Sequence, residues 1–374
     1  MSMLPAGLLI VSNLKLKVHI VGTNGLPANY GGFETLTENL CRELNKDCDF
    51  TVYCSANNQE IKKDYHLGAK LVHIPLKANG WQSIPYDCIS LVIAVFKSDV
   101  ILMLGSSGGF VMPFIRFLGK KVIVNVGGVD WKRDKWGPIT KKIIRCCEYL
   151  TIRNASKLVV DNQYIKNLYL NEYSENSELI AYGGDHAKKI ISSSSMIKDY
   201  PFLSGKYCLS VSRAQKDNNI HTLLHAFEGI NDINLVVISN WQSSKYGKDL
   251  YESYAHLSKN IILLDAIYEQ EILDVIRSNA HLYIHTHSAC GTAPSLVEAM
   301  CLNLPVFCFD CEANRFSTEE LSKYFSTSDE LKSLVNDYFC SPTLLDISKN
   351  LTLVANKKYT WSQVAKSYFT LFKK

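Results

Sequence analysis

The feature that most constrains the fold is an alternation of short, continuously apolar runs with longer amphipathic stretches. Continuous apolar runs are typical of parallel strands that helices cover on both faces of the sheet. The candidate strands of the first half are Lys17–Val21, Phe50–Cys54, Leu71–Ile74, Val100–Leu104, Lys121–Val126 and Leu158–Asp161, with amphipathic stretches such as Phe33–Leu44 and Phe110–Leu118 between them. This order predicts an α/β fold with a parallel sheet.

A second series of the same kind begins after the polar stretch Gly183–Asp199. Its candidate strands are Tyr207–Val211, Leu235–Ser239, Ile261–Leu264, His281–His285 and Val306–Phe309. A chain of 374 residues has room for two domains at ~150 residues each. We therefore predict two Rossmann-like domains, residues 15–185 and 186–355, that face one cleft, because ligands bind beyond the carboxyl ends of parallel strands.

Composition excludes several classes of protein. The hydrophobic fraction of 47% and the charged fraction of 20% exclude a disordered or collagen-like chain. The formal charge of +4 is too small to indicate nucleic-acid binding without a basic stripe. No apolar run approaches the ~20 residues of a membrane-spanning helix. Met1–Leu14 is interpreted as a loose extension or an uncertain start codon, with a signal peptide as the alternative, because no Lys or Arg precedes its apolar part. The twelve scattered cysteines favour the reducing cytoplasm.

A glycine-rich segment separates the first predicted strand from the first predicted helix. It runs from Gly22 to Glu34, and Gly31 and Gly32 directly precede the helix. Glycines let backbone N–H groups approach a ligand, and the N-terminus of a helix favours an anion. A phosphate or carboxylate site is therefore predicted here; the alternative is a tight turn that needs positive φ. The G-x-G-x-x-G pattern of dinucleotide binding is absent.

Two cations lie in the loop that follows the first strand of the second series. Arg213 and Lys216 occupy a strand-to-helix connection, where basic side chains can hold a diphosphate. A loop with two solvated basic residues is the alternative. The neighbouring helix motif favours the diphosphate.

That motif extends from His285 to Met300 and places a polar loop before a helix. Gly291 and Thr292 form the loop, Pro294 suits the first turn of the helix, and Ser295 and Glu298 follow one turn apart. The helix start can hold a phosphate, and Glu298 can accept hydrogen bonds from the two hydroxyls of a ribose. A solvated helix acid is the alternative for Glu298.

The sequence does not predict a metal site. His285 and His287 share one face of an extended strand, but no Cys or carboxylate completes a familiar ligand spacing, so we interpret them as neutral core or supporting histidines. Cys308 and Cys311 form a CxxC motif without a second pair. Asp47 and Asp49 are interpreted as solvated.

Several segments together resemble one protein family. They are Gly22–Glu34, Asn125–Arg133, Ser210–Arg213, Cys290–Met300 and Asn314–Arg315, in the family's order over nearly the whole chain. They are similar to bacterial retaining glycosyltransferases of the two-Rossmann (GT-B) class and the group-1, family-4-like type. The similar subgroup includes the rhamnosyltransferases of capsule and O-antigen assembly, a part of lipopolysaccharide biosynthesis.

This resemblance implies roles for individual residues. Glu298 matches the acid that binds the nucleotide ribose, Arg213 the phosphate-binding arginine, and Gly291–Thr292 the backbone that meets the donor. Gly31 and Gly32 match the loop that closes over the diphosphate from the acceptor-side domain. Residues 356–374 match a last helix that packs back on that domain.

Three positions depart from the family pattern. Cys290 stands where the wider class has an acid and the subgroup a small residue. Asn218 stands where the class has a phosphate-binding lysine, which leaves Lys216 as a stand-in. Gly127 replaces an Asp of the subgroup.

The segment Asp130–Arg145 combines tryptophans with basic residues. Such a segment suits an anionic membrane surface or a lipid pyrophosphate, and a solvated helix face is the alternative. The resemblance implies a polyprenyl-diphosphate-linked acceptor and a location at the inner face of the cytoplasmic membrane. The predicted acceptor contacts are Asn29, Tyr30, Trp131 and Lys132.

The sequence thus predicts a hexosyltransferase that moves a sugar, with rhamnose favoured, from a nucleotide-diphosphate sugar to a lipid-linked saccharide. The resemblance implies retention of configuration without a metal or other cofactor, and Asp130 is the candidate if a base exists. The alternatives are a sugar-nucleotide epimerase of the same fold and a non-catalytic nucleotide-sugar-binding protein. Ala at Glu298 or Arg213 is expected to weaken donor use severely and to leave the fold intact.

Overall fold

The computed structural model describes residues 14–28, 31–55, 63–128, 131, 136–257, 259–340 and 345–374. The strands of the first half are β1 Leu16–Val21, β2 Cys48–Ser55, β3 Tyr65–His66, β4 Ala69–Ile74, β5 Val100–Leu104, β6 Lys121–Asn125, β7 Lys157–Val160 and β8 Glu178–Leu179. They form one sheet in the order β3-β4-β2-β1-β5-β6-β7-β8. All pairs are parallel except β3–β4. The six predicted strands of this half are confirmed; β3 and β8 were missed because two residues carry no periodicity.

A second sheet follows in the other half of the chain. Its strands are β9 Tyr207–Val211, β10 Asn234–Ser239, β11 Ile261–Asp265, β12 Leu282–His285, β13 Val306–Phe309 and β14 Lys323–Phe325. They pair in the order β11-β10-β9-β12-β13-β14, and all pairs are parallel. The predicted α/β class with two parallel sheets is confirmed. The short edge strand β14 was not predicted.

Helices connect the strands in both halves. Their bounds are α1 Gly32–Leu44, α2 Ser83–Val95, α3 Met112–Phe117, α4 Pro138–Asn154, α5 Gln163–Tyr173, α6 Ser194–Asp199, α7 Ile220–Phe227, α8 Lys245–Tyr254, α9 Gln270–Ser278, α10 Pro294–Cys301, α11 Glu312–Thr318, α12 Ser328–Cys340, α13 Leu345–Lys358 and α14 Trp361–Lys373. The amphipathic stretch Phe110–Leu118 forms only the short α3, preceded by a 3₁₀ turn. Phe114 and Phe117 on it are exposed.

Each sheet is covered on both faces, which explains why its strands read as continuous apolar runs. In β5, Leu102 and Leu104 enter one buried cluster, whereas Ile101 and Met103 enter the cluster on the opposite face. Strand side chains alternate between the two faces, so an apolar residue is needed at every position.

The last helix, α14, packs against the first half of the chain. Trp361, Val364, Tyr368 and Phe372 lie in the same buried cluster as residues of α1 and β1. The hydroxyl of Tyr368 also accepts a hydrogen bond from Asn125 Nδ2 at 2.7 Å. The C-terminal helix therefore connects the two halves, and its first residue lies near the cleft described next.

Candidate functional site

The two sheets direct the carboxyl ends of their strands toward one cleft of about 1230 Å³. Strand order reverses at β1, between β2 and β5, and at β9, between β10 and β12. Ligands of open parallel sheets bind at such reversals. The predicted site residues that line the cleft are Gly31, Gly32, Arg213, Gly291, Thr292, Ser295 and Glu298.

Glu298 is a buried acid in the wall of this cleft, only 5% exposed. Its carboxylate forms an ion pair with the guanidinium of Arg277 on α9, and its Oε1 lies 3.1 Å from Nε2 of His186. Burial alone would raise the pKa of this carboxyl, but the charge of Arg277 and the contact with His186 lower it to about 2. Glu298 is therefore ionised at neutral pH, and it is not a solvated helix acid.

The C-terminal helix fixes the position of His186. Trp361 Nε1 donates to His186 Nδ1 at 2.9 Å, and the Trp361 backbone N–H donates to Asp185 Oδ1 at 2.8 Å. Because an indole N–H can only donate, His186 Nδ1 is an acceptor, and Nε2 carries the hydrogen that faces Glu298. The first residue of α14 thus sets the tautomer and orientation of the ring beside Glu298.

Sequence reasoning missed these partners of Glu298. Trp361 and His186 are 175 residues apart in the chain. His186 lies in the polar break between the two series, and Arg277 follows an ordinary amphipathic pattern. The composition of these segments gives no signal that they meet; only the close spacing of polar residues at 185–186, next to a domain boundary, hints at a site.

Gly31 and Gly32 open α1 on the opposite wall of the cleft. Gly31 has φ −169°, which is extended backbone, and neither glycine has positive φ, so the left-handed turn is not the reason for them. A Cβ on Gly32 would lie 3.3 Å from Pro294 Cγ and 3.4 Å from Tyr182 Cζ. Because Pro294 begins α10, Gly32 lets the N-termini of α1 and α10 approach each other.

Glu34, in the first turn of α1, holds the glycine-rich loop in place. Its buried Oε1 accepts hydrogen bonds from Thr23 Oγ1 at 2.9 Å and from the Asn24 backbone N–H at 2.7 Å. Glu34 also lines the cleft. The last residue of the sequence motif therefore anchors the loop that precedes Gly31.

The loop after β9 places its two cations differently. Arg213 is half-buried and lines the cleft, whereas Lys216 is exposed and does not belong to the lining. Asn218, at the position of the missing lysine, donates from Nδ2 to the Arg213 carbonyl oxygen at 2.7 Å. Asn218 thus shapes the loop, and Lys216 is not positioned to replace the lysine.

Gly291 and Thr292 contact residues of the first half of the chain. Thr292 Oγ1 donates to the Asp161 carbonyl oxygen at 2.6 Å and accepts from Asn162 Nδ2 at 3.3 Å. A Cβ on Gly291 would lie 2.0 Å from Asp161 Oδ1, so a larger residue there would have to displace the buried carboxylate of Asp161. Burial raises the pKa of Asp161 to about 7, despite the hydrogen bonds from its own backbone and from that of Thr292.

His285 and His287 differ in their surroundings. His285 is 1% exposed, and burial lowers its pKa to about 3, so it is neutral, which agrees with the predicted core histidine. His287 lines the cleft. No cysteine completes a familiar ligand spacing in the sequence, but in space Cys290 lies beside both histidines. Cys290 lies in the loop between β12 and α10, and spacing in the sequence does not predict the path of a loop.

Trp131 lies on a separate basic surface and is not part of the cleft lining. Its Nε1 donates to Glu148 Oε1 at 3.0 Å, and Arg145 Cζ lies 4.8 Å above its ring. A pocket of about 440 Å³ beside it is lined by Lys142, Arg145, Cys146, Tyr149, Arg153, Glu172 and Tyr173.

Within the segments that the structure describes, no helix is long and apolar enough to span a bilayer. The other predicted catalytic and acceptor residues, Asp130, Asn29, Tyr30 and Lys132, lie outside the described residues.

Two family models match this chain in succession. Residues 15–185 match a domain of unknown function, DUF1972, and residues 196–323 match glycosyl transferases group 1. Residues 196–323 are therefore similar to a group 1 glycosyltransferase domain. This domain contains Arg213, Arg277 and Glu298, which form one wall of the cleft. None of the curated proteins has a sequence that matches this chain.

Solved structures of GT-B glycosyltransferases share the fold over nearly the whole chain. Sucrose-phosphate synthase from Thermosynechococcus elongatus is 15% identical, with a TM-score of 0.78 over 96% of this chain and 98% of that one. HepE of Anabaena in complex with UDP-glucose is 14% identical, with a TM-score of 0.74 over 96% and 100%. A glycosyltransferase from Rickettsia africae is 11% identical, with a TM-score of 0.72 over 96% and 98%. The predicted GT-B arrangement is confirmed.

Proposed function

We propose that this protein transfers a sugar from a nucleotide-diphosphate sugar to a saccharide acceptor. The observation that carries the proposal is the buried Glu298–Arg277 pair in the cleft wall. An ionised carboxylate has about four acceptor positions, and His186 and Arg277 each contact one oxygen. Oε2 is buried against Arg277, so Oε1, which His186 contacts, is the oxygen we assign to a hydroxyl group of the nucleotide ribose.

Positive potential for the diphosphate comes from three elements that converge on the cleft. The N-terminus of α1 at Gly31–Gly32 and the N-terminus of α10 at Pro294 present partial positive charge, and Arg213 adds a full one. Preorganised donors of this kind stabilise the charge that develops on a leaving diphosphate. We assign Gly291, Thr292 and Ser295 to the sugar and phosphates of the donor.

The reaction we propose retains the anomeric configuration. The bond from the anomeric carbon to the donor phosphate breaks, the acceptor oxygen bonds to that carbon on the same face, and the acceptor proton passes to the leaving phosphate. This reaction course needs no protein base and no metal. Arg213 and the N-termini of α1 and α10 stabilise the negative charge of the leaving diphosphate. Asp130 is the residue to test as a base, with Asp130→Asn.

The acceptor we propose is a saccharide linked to a polyprenyl diphosphate, at the inner face of the cytoplasmic membrane. Support comes from the basic surface around Trp131, where Lys142 and Arg145 lie beside the exposed side chains of Ile139 and Ile143. Cations next to exposed apolar side chains suit an anionic lipid surface. Asn29, Tyr30 and Lys132 remain proposed acceptor contacts from the sequence alone.

The donor sugar we favour is rhamnose on deoxythymidine diphosphate, in O-antigen or capsular polysaccharide assembly. UDP-glucose belongs in the same panel, because the similar HepE structure contains it. Mass spectrometry of each donor, with and without a lipid-diphosphate saccharide, tests the proposal. A lengthened saccharide that forms only with acceptor supports it. A new nucleotide sugar without acceptor indicates an epimerase, and unchanged donor in both reactions indicates a binding protein.

A further inference from the structure

Three side chains with metal-ligating atoms converge where β12 ends. His285 is the last residue of β12, and His287 and Cys290 lie in the loop that leads to α10. One ligating atom from each of the three lies within 4.8 Å of the others. Around a tetrahedral Zn²⁺, bond lengths of about 2.0–2.3 Å place ligand atoms roughly 3.3–3.7 Å apart. Side-chain adjustments of about an ångström would therefore bring all three onto one ion.

A second observation comes from the buried face of this cluster. Among the residues that the structure describes, His285 Nε2 is buried without any hydrogen-bond partner. A buried polar nitrogen without a partner is unfavourable, and native proteins rarely leave one. The rings of His285 and His287 meet edge to face, with centroids 4.4 Å apart. A cation bound at His285 Nε2 would satisfy this nitrogen.

The ligand types select the kind of cation. Imidazole nitrogen and thiolate sulfur suit Zn²⁺ and similar transition metals, whereas Mg²⁺ and Ca²⁺ need oxygen ligands. Three protein ligands leave a fourth position for water or another ligand. His287 and Cys290 line the same cleft as Gly291 and Thr292, so the cluster borders the cavity.

We propose that His285, His287 and Cys290 bind one Zn²⁺-class ion in the wall of the cleft. This inference concerns metal binding alone, so its test does not depend on the proposed sugar transfer. Cys290, which departs from the family pattern, is the residue that turns a pair of histidines into a three-ligand site.

The test uses the full chain, stripped with chelator, kept reduced and titrated with Co²⁺ under anaerobic conditions. The expected result is a thiolate-to-cobalt charge-transfer band that saturates at about one ion per chain and disappears when Zn²⁺ is added. Cys290→Ser should abolish that band. His287→Ala should weaken affinity by more than the roughly 10–100-fold that loss of an outer partner causes.

Cys340→Ser is the matched control, because Cys340 is an exposed cysteine outside the cleft lining. The control should titrate like the wild-type chain, and circular dichroism should show the same fold in every variant. The proposal is wrong if the wild-type chain gives no thiolate band, if Cys290→Ser keeps it, or if Cys340→Ser loses it.

Discussion

Removing the carboxylate of Glu298 is expected to destabilise the fold as well as to weaken nucleotide binding. Glu298→Ala removes the carboxylate paired with the guanidinium of Arg277, which is 4% exposed, and leaves the charge of Asp274 to interact with it. Breaking a buried ion pair by removing one partner costs about 3–5 kcal/mol of unfolding free energy. For a domain of this size that corresponds to a fall in Tm of roughly 6–20 °C. This outcome differs from the expectation from the sequence, which is that Glu298→Ala leaves the fold intact.

The assay is urea unfolding followed by circular dichroism and tryptophan fluorescence. Glu175→Ala is the control, because Glu175 forms an exposed ion pair with Arg153 at 2.9 Å and lies outside the cleft lining. An exposed pair contributes about 0–1 kcal/mol, so this variant should unfold almost like the wild-type chain. Equal stability losses in Glu298→Ala and Glu175→Ala would refute the reasoning.

A double variant separates loss of the charge from loss of packing. Replacing Arg277 with Met in the Glu298→Ala background removes the unpaired charge and keeps an apolar stem of similar length. A buried pair replaced by apolar residues is often neutral or stabilising, so the double variant should be more stable than Glu298→Ala alone. A double variant that loses the sum of both single effects would show that the two residues do not interact.

Three further outcomes are expected. Trp361→Phe should lower the unfolding free energy by about 0.5–1.5 kcal/mol because it removes the hydrogen bond to His186 Nδ1, whereas Trp81→Phe at an exposed tryptophan should cost almost nothing. Similar losses in the two variants would contradict a stabilising role of the Trp361–His186 hydrogen bond. Asp161 has a pKa raised above that of the unfolded chain, so its contribution to stability is present below about pH 4 and is lost as the pH rises to about 7. Asp161→Asn should therefore gain stability relative to the wild-type chain between pH 4 and 8 in urea unfolding, and a difference that does not change with pH would argue against this. Arg213→Ala should weaken nucleoside-diphosphate binding by about 1.5–3 kcal/mol in calorimetry and Lys216→Ala by less than about 1 kcal/mol, and the reverse order would reassign the phosphate contact.

The architecture could be predicted because each central strand is buried on both faces and therefore apolar at every position. β5, which lies between β1 and β6, was located residue for residue. The strands that sequence reasoning missed, β3, β8 and β14, are two or three residues long and lie at sheet edges. Pairing with a neighbouring strand defines such short elements, and that information is not local in the chain.

Residues that line the cleft could be predicted where one local motif supplies them. Gly291 and Thr292 lie in one loop and Ser295 and Glu298 lie in the helix that follows it, so one continuous segment brings these four residues to the cleft. The partners of Glu298 come from other elements: Arg277 from α9, and His186 from the connection between the halves. Lys216 was a candidate phosphate ligand because of its position in the loop after β9. It lies in a short 3₁₀ turn, and its side chain is exposed to solvent.

The most direct test of a nucleotide held by Glu298 is calorimetric titration of the wild-type chain, Glu298→Gln and Glu175→Gln with UDP and with dTDP. Loss of a charged hydrogen bond to the pentose corresponds to about 1.5–3 kcal/mol, so Glu298→Gln should bind about 10- to 150-fold more weakly at unchanged stoichiometry. Glu175→Gln should bind like the wild-type chain. Equal affinities in all three proteins, or no binding of either nucleotide to the wild-type chain, would contradict the account.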